Sequence, residues 1–124
     1  VVGVVDFDDW AYGPVMLDLS ASLVEFPWFN SMNFDDNLTF ELFRGFFHHG
    51  GSLTEYERLL LPVGMEMSCA SWLSCNALHR IQFEESEIYL EKLNLLRNSQ
   101  ARKELVKRIL VCIDEAQNSD KSTM

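Results

Sequence analysis

Three carboxylates, Asp6, Asp8 and Asp9, crowd onto the end of the apolar run Val1-Val2-Gly3-Val4-Val5. Like charges at this spacing resist ionising together unless a cation offsets them. A hard divalent ion is the natural offset. Mg²⁺ takes one or two carboxylates and completes its shell with water and phosphate oxygens, so an aspartate at a strand end suits phosphoryl transfer. The same spacing also fits a solvated acidic turn in which Asp8 or Asp9 only caps the next helix.

Other residues with chemical potential are weaker candidates. His48 and His49 are adjacent, and neighbouring helical residues point in different directions, so they do not readily converge on one ion. Beside Gly50-Gly51 they read instead as helix C-terminal residues favoured by the macrodipole. The cysteines, Cys69, Cys75 and Cys112, form no CxxC pair and have no histidine at metal-site spacing. They are expected to be reduced and packed as small hydrophobes, as in a cytoplasmic protein.

Residues 1–5 are β-branched and end on a polar residue, which predicts one short buried strand. Past Tyr12-Gly13-Pro14 the period becomes helical. Met16, Leu19, Leu23 and Phe26 share one face, and Pro27 ends that helix. A polar segment over 30–37 leads into a second helix with Phe40, Phe43 and Phe47 on one side, closed by Gly50-Gly51. Thr54 and Glu57 have capping-box spacing. The helix they start should reach about His79 or Phe83, with Leu60, Val63, Met67, Ala70, Ser74, Ala77 and Ile81 on its apolar face. Pro62 is expected to bend it or end its first piece. Ser86 and Asn98-Ser99 mark two more starts, with Tyr89, Leu93 and Leu96 inward on one helix and Leu105, Ile109 and Cys112 on the other. The fold class is therefore mainly α, one strand followed by about five helices, with a disordered polar tail over 118–124.

The stretch VVDFDDWAYGPVMLDLSASL, residues 4–23, resembles the metal-binding segment of the aminoglycoside phosphotransferase and choline kinase-like superfamily. In that family an apolar strand runs into Asp-Phe-x-Asp, a Gly-Pro turn, and Asp-Leu opening a helix. Here the matching elements are Val4-Val5-Asp6-Phe7-Asp8-Asp9, Tyr12-Gly13-Pro14 and Asp18-Leu19. The DFDD version is most similar to the branch containing homoserine kinase type II. Phe43-Arg44-Gly45-Phe46 and Ser52-Leu53-Thr54-Glu55 extend the likeness, which weakens beyond about residue 80.

The resemblance implies the C-terminal part of a protein-kinase-like C-lobe, with a metal segment over 1–25 and a helical substrate-side subdomain over 26–117. It implies that Asp6 holds the Mg²⁺ bridging the phosphates of ATP, that Asp8 adds a water-mediated contact, and that Asp18 braces the catalytic loop from its helix. That loop, H-x-D-x-x-x-x-N, is expected upstream of Val1 together with the nucleotide lobe, so this stretch is not expected to phosphorylate anything alone. The later helices would form the acceptor wall, with Glu25, Trp28, Asp35, Asp36, Trp72 and Asn76 as candidate lining residues. The implied partners are a nucleotide and a small-molecule hydroxyl acceptor, to which an acidic pocket would add affinity for an amine.

Two alternatives stand beside this reading. The haloacid-dehalogenase phosphatases also open on a strand and DxD, which would make Asp6 a nucleophile and Asp8 the acid. That pattern wants Thr or Val where Trp10 stands and a Rossmann-like alternation afterwards, whereas residues past 14 read helix after helix. The other alternative is a non-catalytic helical interaction module or a degenerate kinase remnant. A net charge of -9 over 124 residues argues against a nucleic-acid binder. No apolar run approaches the ~20 residues of a membrane span.

Overall fold

A computed structural model of the chain describes residues 15–28, 33–79 and 83–122. Among these residues the protein is entirely helical outside its connections: α1 (Val15–Glu25), α2 (Asp36–His48), α3 (Glu55–His79), α4 (Phe83–Arg97) and α5 (Ser99–Ser122). The strand expected over 1–5, and with it Asp6 and Asp8, lies outside the described residues. α1 packs on α3, α3 on α4, and α2 on α5, with α4 and α5 completing the bundle.

Local chemistry sets the helix ends. Asp35 caps α2 by accepting the Leu38 amide at 3.1 Å. α2 closes in a Schellman motif, in which the Gly50 amide donates to the Phe47 carbonyl and the Gly51 amide to the Phe46 carbonyl. Gly50 supplies the left-handed conformation this closure needs, at φ 91. The capping box forms as its spacing predicts. The Thr54 amide donates to Glu57 Oε1 at 2.9 Å, and the Glu57 amide donates to Thr54 Oγ1 at 3.1 Å. Asn98 caps α5 through the Ala101 amide at 3.0 Å.

The core gathers Leu23, Val24, Trp28, Phe43, Leu61, Met65, Leu96, Ile109 and Ile113. Five expectations need correction. Phe26 is 65% exposed, because α1 ends at Glu25 and the chain turns before Phe26 can continue the buried face. Of the two outcomes expected at Pro62, a bend or an end to the helix, the second does not occur, and α3 runs unbroken through it. Its ring is buried, and packing offsets the lost hydrogen bond. The inward face of α3 carries Leu61, Met65, Cys69 and Asn76, whereas Val63, Met67, Ala70, Ser74 and Ala77 are exposed. α4 begins at Phe83 rather than at Ser86. α5 continues through Ser122 over residues whose polar composition suggested a tail.

The choice of face on α3 follows from its crossing with α1. Gly64 sits so close to Ser20 that a Cβ there would overlap the Ser20 hydroxyl and lie 2.7 Å from its Cβ. Ser20 itself is fully buried, donating to the Met16 carbonyl at 2.6 Å and to the Leu61 carbonyl at 3.1 Å. It therefore has nowhere to go. Overpacking of this kind costs about 1–3 kcal/mol, more than the ~1 kcal/mol that Ala gains over Gly in a helix. Gly64→Ala is expected to lower the thermal midpoint by a few degrees, and a raised midpoint would contradict the close crossing.

Candidate functional site

The C-terminal end of α1 leaves carbonyls without helical partners. One of them, Val24, accepts a hydrogen bond at 3.1 Å from the ammonium of Lys92 on α4. Lys92 is buried. Its ammonium lies 5.6 Å from the Trp28 ring centroid and 5.2 Å from that of Tyr89. A helix C-terminus and two aromatic faces thus share the work of solvating a cation withdrawn from water.

Tyr89, one turn earlier on α4, links this interior to the surface. Its hydroxyl donates to Glu25 Oε1 at 2.7 Å, and its ring stacks on Trp72 of α3 at 5.8 Å with only 9° between the planes. Trp72 is 42% exposed and Glu25 half-buried, so the cluster runs from a buried ammonium to a partly open edge made of an indole and a carboxylate.

Three of the six residues placed on the acceptor wall, Glu25, Trp28 and Trp72, therefore meet around Tyr89 and Lys92. Trp28 is interior, edge-on to Phe34 at 5.9 Å, and its indole N–H finds no acceptor among the described residues. Asn76 is buried as well and donates to the Ser86 hydroxyl at 3.3 Å, joining α3 to α4. Only Glu25 and Trp72 present themselves to a ligand. Asp35 and Asp36 lie elsewhere. Asp35 is the α2 cap, and Asp36 pairs with Arg108 at 3.1 Å. Asp18 is exposed in the first turn of α1, where a carboxylate favours the helix N-terminus.

Tyr89 was legible only as a core-facing aromatic, and Lys92 was missed. The available signal was a lysine one turn from Tyr89 and beside Leu93 on the same apolar stripe. His48 ends α2 and His49 caps it, with Nδ1 of His48 3.6 Å from Asp120. No group of three or more metal-ligating side chains occurs among the described residues. No described helix is long and apolar enough to cross a membrane.

Burial shifts two groups beneath the cluster. The Cys69 thiol is pushed up to about 11 from 9.0, chiefly by burial, with Lys92 pulling the other way and Glu25 and Glu66 adding to the rise. Burial holds Lys92 below its ordinary 10.5, opposed by Glu25 and Cys69. Cys69 and Cys112 are buried and unbridged, and Cys75 is half-buried.

Comparison with family models, curated proteins and solved structures finds no match.

These shifts give opposite slopes in alkali. From pH 9.0 to about 11 the unfolded chain releases the thiol proton while the folded protein keeps it, so the Cys69 contribution to stability falls as pH rises. Folded Lys92 loses its proton before the unfolded chain does, so its contribution rises with pH in the window below 10.5. Denaturant titrations of Cys69→Ala across this range should lose less stability than the parent, by on the order of 2 kcal/mol. Identical slopes in the two proteins would remove the buried thiol as the cause.

Proposed function

We propose that the chain is the C-terminal, acceptor-side part of an ATP-dependent small-molecule O-phosphotransferase with a protein-kinase-like C-lobe. The observation that carries this reading is the meeting of Glu25, Trp28 and Trp72 around Tyr89 and Lys92. They gather at the C-terminal end of α1, the helix that carries Asp18 in its first turn. Three of the six residues to which the resemblance gives one role, drawn from distant parts of the sequence, meet in this cluster.

In this reading Asp6 supplies a hard oxygen ligand for Mg²⁺ and Asp8 holds one of its waters. Carboxylates of this kind suit that ion. When bound, Mg²⁺ neutralises charge developing on the transferred phosphoryl group. Asp18 acts from α1 as a brace on the loop that carries the catalytic base. At the acceptor side the exposed Trp72 face offers apolar contact, and the free lone pairs of Glu25 accept a hydrogen bond from a substrate hydroxyl. An amine on the acceptor would pair with Glu25, and Lys92 beneath it limits how much that charge adds.

A second reading, a helical interaction module without catalysis, draws on the exposed apolar side chains of α3, among them Leu59, Val63 and Met67. The two readings separate in one assay. Phosphoryl transfer from ATP by the complete polypeptide, measured over a panel of small alcohols and amino alcohols, should be Mg²⁺-dependent. Asp6→Asn should reduce turnover to background with its circular dichroism unchanged, and retained turnover would remove Asp6 from the metal role. Asp18→Ala should lower both activity and thermal stability. Absence of turnover and of Mg²⁺-dependent nucleotide binding would leave the interaction module.

A further inference from the structure

On the side of α3 that carries Leu59 and Pro62, a groove of about 630 Å³ runs between α3 and α5. Its floor is apolar, with Leu59 and Pro62 from one helix and Val106, Leu110 and Val111 from the other. On α5, Val106 and Leu110 stand four apart, one above the other on the same side of the helix, and Val111 follows Leu110 at its edge. Ion pairs bridge the two helices along it, Arg102 with Glu66 at 3.1 Å and Arg58 with Asp114 at 2.7 Å.

The charge of this groove is opposite to that of the chain. The protein carries -9 overall, yet three of its ten basic residues, Arg102, Lys103 and Lys107, line this one surface. The single carboxylate among the lining residues, Asp114, is already engaged by Arg58. Lys103 and Lys107 are exposed and make no ion pair among the described residues. Two uncompensated ammonium groups one turn apart beside an apolar trough have a defined complement. It is a helix with apolar anchors on one face and carboxylates on the flank.

We propose that the α3–α5 groove is a docking surface for an acidic amphipathic helix of a partner protein. Apolar anchors seat over Val106 and Leu110 against Leu59, and the partner's carboxylates pair with Lys103 and Lys107. The proposal does not depend on phosphoryl transfer, since it uses none of the residues of the Glu25–Lys92 cluster.

The test is an amide chemical-shift titration of the isotope-labelled protein with a synthetic helix bearing Leu on one face and Glu beside it. A matched peptide with Lys in place of Glu serves as the control. The acidic peptide should bind at sub-millimolar concentration and perturb amides at Leu59 and along Arg102–Leu110, more weakly as salt rises. Lys103→Glu combined with Lys107→Glu should weaken binding by about tenfold or more. Leu59→Ser, at a side chain that is 65% exposed and so dispensable for folding, should weaken it as well. Absence of shifts, shifts outside the groove, or equal binding of the Lys peptide would overturn the proposal. So would concentration-dependent shifts at these residues in the protein alone, which would make the groove a contact between copies of this chain.

Discussion

A cation that leaves water must find its solvation inside the protein, and the ammonium of Lys92 finds it in three places at once. The last turn of α1 supplies the Val24 carbonyl, Trp28 and Tyr89 supply their ring faces, and Glu25 supplies a counter-charge nearby. An unpaired buried charge costs several kcal/mol, so these groups hold one another in place. α1 must end where it does for Val24 to be free, α4 must rotate so that Lys92 faces inward, and Tyr89 then falls where it can stack on Trp72. The arrangement at the surface follows from the requirement in the interior.

Two other contacts fix the scaffold around that point. The approach of α1 to α3 through Ser20 and Gly64 brings the α1 C-terminus beside the middle of α3, from which Cys69, Trp72 and Asn76 follow on successive turns. Arginines then fasten α5 to the rest. Arg108 donates to the Phe34 carbonyl at 2.7 Å and lies over the Phe34 ring, while Arg58 donates to Asp114 and, at 2.6 Å, to Gln117. Arg58 is nearly buried, so its pairing serves mainly to avoid an orphaned charge. The partly exposed pair between Arg102 and Glu66 contributes little energy and chiefly sets the spacing of α3 and α5. That spacing leaves the apolar groove open.

The cluster at the end of α1 and the groove lie on different parts of α3, and each uses residues the other does not. α3 is apolar around most of its circumference, which for a surface helix means that more than one face has a partner. One face is committed to α1 and α4. The other, through Leu59, Val63 and Met67, meets solvent.

The helix ends were legible in the sequence because each depends on a few adjacent residues: Thr54 with Glu57, Asn98 before α5, and Gly50-Gly51 after α2. The inward faces of α2 and α5 were legible too, since Phe43 and Phe47, or Leu105, Ile109 and Cys112, stand out against polar neighbours. α3 offered no such contrast. Its periodicity pointed to the face of Val63 and Met67, whereas the close approach of Gly64 to Ser20 turns Leu61, Met65 and Cys69 inward. The same holds for the candidate site. The family resemblance offered Glu25, Trp28, Asp35, Asp36, Trp72 and Asn76 together, yet Asp35 and Asp36 lie elsewhere, and which of the other four face solvent depended on where α4 set Tyr89 and Lys92. Local hydrogen bonding is written in neighbouring residues, whereas the burial of a charge is settled by elements far apart in the chain.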